Sequence, residues 1–136
     1  LAEALPALLA RARRLRVPRM TLRHLIRARG TAAAAVLDCV EERPAWGEPL
    51  CRGWPHIGAE VVVAVRDEMA VTLADVLLRR TRLALLLPGQ GTEIAAQVAA
   101  LMGDELAWSQ DARSAQVADY TRAASHFAVS GITTPV

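Results

Sequence analysis

The chain has no lysine; all sixteen of its positive side chains are arginines. That excludes Schiff-base chemistry on a lysine and the lysine of a phosphate-binding P-loop. Aromatic residues are nearly as scarce, five in 136 (Trp46, Trp54, Trp108, Tyr120 and Phe127), so a core has to be built from alanine, leucine and valine. Such a composition favours helices, because alanine and leucine lose little side-chain freedom in them. Two cysteines, Cys39 and Cys51, are too few for a disulfide framework, and no signal-like segment precedes them, which fits a reducing, cytoplasmic setting. No apolar run approaches the roughly 20 residues that cross a bilayer. Leu1 stands where a start methionine would, so the chain reads as a piece of a longer protein.

What is present is enough for one domain, able to bury roughly two-thirds of the surface its unfolded form exposes. Its charge is unevenly spread. Residues 1–30 carry eight arginines against Glu3 alone, a balance of +7, while residues 31–136 carry eight arginines and thirteen acids, a balance of −5. An amphipathic helix whose basic face lies in solvent or docks on the acidic remainder accounts for this; a contact with nucleic acid or anionic lipid is the sharper alternative.

Apolar periodicity predicts a first helix from Glu3 to Leu15 (Leu5, Leu8, Leu9, Ala12, Leu15), interrupted by Pro18. A second short stripe, Leu22, Leu25 and Ile26, ends at Gly30, and Thr31 is placed to cap a third helix through Glu42. Residues 43–58 hold three prolines and three glycines and read as a long connection anchored by Trp46, Leu50 and Trp54. Val61 to Val65 would suit a buried strand or a buried helix. The helix is preferred because no other segment offers a strand partner, and a lone strand leaves its backbone groups unpaired.

After a bend near Ala70, Thr72 and Asp75 have the spacing of a capping box, starting a helix that buries Leu73, Val76 and Leu77 and ends in Arg79, Arg80 and Arg82. Pro88-Gly89-Gln90-Gly91 breaks the chain. Thr92 then caps a helix with Ile94, Val98, Leu101, Met102 and Leu106 on one face, and Ser109 opens a last helix through about Phe127. These elements amount to an all-α domain of six or seven helices over residues 1–130, with 1–30 as a basic lead-in, 31–128 as the main bundle and 131–136 as a flexible tail.

Catalytic patterns are hard to assemble. Gly89-Gln90-Gly91 resembles a dinucleotide fingerprint, but Ile94 occupies the third glycine's place and no strand precedes it. Cys39, Cys51 and His56 lack the compact pair spacing of a zinc module, and no metal site is expected. His24, on the polar side of its helix, His56 and His126 have no nucleophile beside them, and adjacent acids such as Glu41-Glu42 point in different directions. For Arg79, Arg80 and Arg82 two readings stand. Asp75 and Arg79 are four apart in the favourable acid-first order and Glu68 is within reach of Arg80 or Arg82 across the bend, which is a structural role; a planar donor fork also suits a phosphate.

Several pieces, in order, carry a likeness: Leu-Ile-Arg-Ala-Arg-Gly-Thr at 25–31, Glu48-Pro49-Leu50 before Gly53-Trp54-Pro55, Ala59-Glu60-Val61, Ala64-Val65-Arg66, Glu68-Met69-Ala70, Thr72-Leu73-Ala74-Asp75-Val76-Leu77, Arg79-Arg80-Thr81-Arg82-Leu83, and Leu101-Met102 ahead of Glu105-Leu106-Ala107-Trp108. From about Leu22 to Tyr120 the chain resembles the C-terminal helical domain of FAD-dependent glycerol-3-phosphate dehydrogenases. It departs from the family where Val63 replaces a common tyrosine and Arg29 another aromatic.

The resemblance implies a parent that oxidises glycerol 3-phosphate to dihydroxyacetone phosphate and passes electrons through FAD to a quinone. The FAD fold and substrate pocket would lie upstream, so no catalytic residue and no bound FAD are expected here. Arg79, Arg80 and Arg82 remain candidates for substrate or phosphate, with Glu60, Glu68 and Asp75 as structural ion-pair partners. The implied partners are the upstream FAD-binding and substrate domain, a second copy of the chain and, for the parent, the inner face of the cell membrane; nucleic acid is not expected. An arginine-rich nucleic-acid-binding or protein-interaction module is the alternative.

Overall fold

A computed structural model describes residues 2–130, with side chains through residue 126; the expected tail, 131–136, lies outside the described residues. Those residues form seven α-helices and no strand, an all-α architecture, with an isolated bridge between Pro49 and Ile57. They divide into two compact units, Leu1–Val63 and Ala64–Val136.

In the first unit, α1 (Leu5–Arg14) has a proline in its first turn, where a missing N–H is harmless, and buries Leu8 and Ala12. It closes with Arg16 at φ 61° while Val17 N–H reaches back to the Ala12 carbonyl at 2.9 Å. This is the helix-ending geometry usually given to glycine. The second helix, α2 (Arg19–Arg29), starts behind Pro18 and buries Thr21, Leu22 and Leu25. Gly30, at φ 59°, turns the chain into a short 3₁₀ turn, Gly30–Ala32, that leads into α3 (Ala33–Glu42).

Thr31 does not cap α3 with its side chain. The 3₁₀ turn makes that cap unnecessary, since the Ala33 N–H already bonds the carbonyls of Gly30 and Thr31. The connection that follows is ordered by its own backbone: Leu50 N–H bonds the His56 carbonyl at 2.9 Å and Gly58 N–H the Glu48 carbonyl at 3.1 Å. Trp46 and Leu50 are buried anchors, Trp54 is half-buried, and the Arg43 guanidinium lies 4.7 Å from the centre of the Trp46 ring.

Val61 to Val65 are helical, within α4 (Gly58–Glu68), and the boundary between the units falls inside this helix. Residues 57–64 are buried without interruption, as expected of a helix apolar around its whole circumference. The end of α4 opens the second unit. There Met69 takes φ 60° and Ala70 N–H bonds the Ala64 carbonyl at 2.9 Å.

The capping box forms in both directions: Thr72 N–H donates to Asp75 Oδ2 at 3.1 Å and Asp75 N–H to Thr72 Oγ1 at 3.1 Å. Beyond it the structure departs from the expected α-helix, because Asp75–Arg80 is π-helical. Both the N–H and the hydroxyl of Thr81 bond the Val76 carbonyl, each at 2.8 Å, fixing a bond that encloses one residue more than an α-turn. Arg82, at φ 59°, then starts the one-turn helix α5 (Leu83–Leu86).

A turn through Gly89 and Gly91 precedes the 3₁₀ turn Thr92–Ile94 and α6 (Ala95–Leu106). Thr92 is not a side-chain cap for α6; its hydroxyl donates to the Gly89 carbonyl at 2.8 Å and so closes the turn instead. Ile94, Val98 and Met102 are buried and Leu101 and Leu106 half-buried, along the expected face. Ser109 does cap α7 (Gln110–Ser130), accepting from Ala112 N–H at 3.1 Å.

The α6–α7 hairpin is clasped by Arg113, which donates to the carbonyls of Trp108 and Ala100 at 3.2 and 3.1 Å and pairs with Asp104 at 3.2 Å. Gly103 makes room for it, since a Cβ there would lie 2.7 Å from the guanidinium carbon.

Candidate functional site

The arginine end of the second unit is held by its neighbours. Asp75 accepts from Val71 N–H at 2.9 Å as well as from Thr72, and its other oxygen pairs with Arg79 Nη1 at 3.0 Å. These bonds, first that from Val71 N–H, hold the Asp75 carboxyl below the ordinary carboxylate range. Arg79 itself is 72% exposed, so the pair is screened on one side.

Arg80 Nη2 donates to the Glu68 backbone carbonyl at 3.1 Å, bracing the last turn of α4. Arg82 is exposed on its left-handed backbone and makes no hydrogen bond or ion pair among the described residues. Arg79 and Arg80 therefore each have an intrachain task, and Arg82 is the donor of the three left to meet an outside anion. Around them, Met69, Val71, Leu85 and Leu86 are exposed apolar side chains.

In the first unit the charged groups are arranged differently. Glu60, 2% exposed, sits in the first turn of α4, where Oε2 accepts from Ile57 N–H at 2.8 Å and Oε1 lies 2.7 Å from His24 Nε2. The His24 and His56 rings meet at 4.1 Å between centroids. His24 is thus not a solvent-facing residue of α2, as periodicity had it; the buried carboxylate draws it inward, because a carboxylate without hydrogen-bond donors is costly in a core. The signal available in the sequence was a lone acid inside the apolar run Ala59–Val65. Glu60 and His56 are too deeply buried to meet a solute, so this cluster positions α2 and the start of α4.

The basic lead-in helix docks on acids of its own unit. Arg11 lies 2.6 Å from Asp38 and 3.2 Å from Glu41, and Arg14 lies 3.3 Å from Glu41. The hydrogen bond to Asp38 pushes the Arg11 pKa up. Two of the arginines that motivated a nucleic-acid reading are therefore turned onto α3.

The described residues do not fit a dinucleotide. The Gly89–Gly91 turn is closed rather than open: Tyr120 donates its hydroxyl to the Gln90 carbonyl, and a Cβ on Gly91 would lie 3.6 Å from Leu77 Cδ2. Burial, aided by the charge of Glu93, pushes the Tyr120 hydroxyl up to about 12. Cys39 and Cys51 are free thiols, and no group of three or more metal-ligating side chains occurs among the described residues. No helix among them is long and apolar enough to cross a membrane.

Comparison with known proteins returns a consistent set of relatives. A glycerol-3-phosphate dehydrogenase of Synechocystis is 33% identical over 102 residues, 75% of this chain and 18% of that protein. A probable mitochondrial glycerol-3-phosphate dehydrogenase of Caenorhabditis elegans is 42% identical over 74 residues, 54% of this chain and 10% of that protein. Glycerol-3-phosphate dehydrogenase 2 of Mycobacterium tuberculosis is 28% identical over 99 residues, 73% of this chain and 17% of that protein. The chain therefore spans less than one-fifth of the length of these relatives. No solved structure is a significant match. The model of the C-terminal domain of alpha-glycerophosphate oxidase matches residues 3–113, and the chain belongs to that family.

Proposed function

We propose that the chain is the accessory C-terminal domain of an FAD-dependent glycerol-3-phosphate dehydrogenase, whose parent oxidises glycerol 3-phosphate to dihydroxyacetone phosphate and passes electrons to a quinone. The observation that carries this reading is the family match over residues 3–113 together with relatives named glycerol-3-phosphate dehydrogenase. FAD belongs to the upstream part of the parent, with which this domain packs; the closed Gly89–Gly91 turn supports that placement. The domain itself does no chemistry. Its arginine end, with the exposed apolar residues beside it, is the surface offered to the catalytic part.

A second reading of the same end is favoured by one residue. Arg82, exposed and without an intrachain partner, contacts the phosphate of the substrate, an anion to which a guanidinium presents a planar donor fork. Kinetics of the full-length parent separate the two. Under the phosphate reading, Arg82→Gln raises KM for glycerol 3-phosphate by about tenfold with little change in kcat. An unchanged KM removes phosphate contact and leaves docking. The isolated 136-residue chain is expected to purify without flavin absorbance and to reduce no quinone; a flavin-bearing, active fragment overturns the accessory role.

A further inference from the structure

The first unit has a groove of about 520 Å³ between α1 and α2 that the reading above does not use. Its floor is two short ladders, Leu5 and Leu9 from α1 and Leu22 and Ile26 from α2; Leu9 remains 43% exposed there. One wall is crowned by Arg19, Arg23 and Arg27. These three recur every fourth residue, so they form a rail about 12 Å long with one guanidinium per helical turn. None has an ion-pair partner among the described residues, although Arg11 and Arg14 on the neighbouring helix are both paired. All three are exposed.

An apolar trough beside a cationic rail calls for a partner that is apolar on one face and anionic on the next. We infer that this groove docks an acidic amphipathic helix, its apolar stripe over Leu5, Leu9, Leu22 and Ile26 and its carboxylates, one per turn, against Arg19, Arg23 and Arg27. Periodicity favours a helix over a lipid: carboxylates three or four residues apart on a helix repeat at the rail's own spacing, whereas one lipid headgroup meets only one or two of the three guanidiniums. The mode is helix-in-groove recognition, with the apolar contacts giving affinity and the charge row setting register and partner choice. The inference rests on the first unit alone and is independent of the parent's activity.

The probe is a helix-stabilised synthetic peptide of about four turns, with glutamate once per turn on one face and leucine on the adjoining face. Titrated into the chain at low salt, it should saturate and move the NMR signals of Leu5, Leu9, Leu22 and Ile26. The variant Arg19→Glu/Arg23→Glu/Arg27→Glu should bind the peptide at least about tenfold more weakly, and a peptide with arginine in place of glutamate should restore the affinity. Because the three arginines are exposed and unpaired, the triple reversal should keep its circular-dichroism spectrum. The milder Arg23→Gln serves as a second variant and should weaken binding by a smaller factor. No saturable binding, equal binding by the wild type and the reversed variant, or binding to phosphatidylglycerol vesicles in preference to the peptide overturns the inference.

Discussion

Each unit contains one carboxylate that receives backbone N–H groups at the start of a helical segment. Glu60 accepts from Ile57 in the first unit, and Asp75 from Val71 and Thr72 in the second. Each also has a basic partner, His24 at 2.7 Å and Arg79 at 3.0 Å. Their surroundings separate them. Glu60 is 2% exposed, so its two oxygens depend wholly on protein donors, while Asp75 and especially Arg79 keep access to water. Similar bonding in different media should therefore carry different energies: loss of a partner inside a core leaves a group with no substitute, whereas water replaces much of what is lost at a surface.

The largest effect is expected at Glu60. Glu60→Ala strips Ile57 N–H and His24 of their acceptor and should cost the first unit about 3 kcal/mol, read by hydrogen exchange of the amides of α2 and α4. A loss below about 1 kcal/mol would show that burial does not separate the two sites.

Asp75→Ala comes next. It removes the acceptor for two backbone N–H groups and one half of the capping box, an expected loss of about 1–2 kcal/mol at neutral pH in urea unfolding. This loss should depend on pH. The folded carboxyl is held below its ordinary value of 3.8, so the ionised form is favoured by folding. Its contribution is full above the unfolded value and disappears as pH falls through the lower folded value. The gap between wild type and Asp75→Ala should narrow as the medium is acidified through that range; a constant gap would mean that the charge of Asp75 contributes nothing.

The smallest effect is expected at Arg79. With most of the guanidinium in solvent, Arg79→Ala should change stability by no more than about 0.5 kcal/mol. Double-mutant cycles on His24 with Glu60 and on Arg79 with Asp75 put the comparison in its sharpest form, and the buried pair should show the larger coupling.

Much of this was legible in the sequence, and the parts that were not share a cause. The Thr72–Asp75 box, the Ser109 cap and the stripe from Ile94 to Leu106 are local patterns, decided within a few residues, and each could be read from spacing. The helical state of Val61–Val65 followed from the lack of a strand partner. His24 with Glu60 was missed because the pair spans 36 residues of chain, and only packing brings the two together. The ends of α1, α4 and α6 have left-handed residues that are not glycine, Arg16, Met69 and Ala107, so no glycine announced them. Thr31 and Thr92 had the right identity for caps, but neighbouring 3₁₀ turns supplied the first backbone bonds.

The π-helical turn at Asp75–Arg80 has a consequence in the arithmetic of chain length. Such a turn holds a surplus residue, so the direction in which the following arginines project depends on residue count as well as on side-chain chemistry. A one-residue deletion between Val76 and Leu78 would return the segment to α-helical winding and rotate it against the arginines by roughly 100°. A relative could thus keep every arginine and still aim them elsewhere, and the place to look for that is a gap in an alignment.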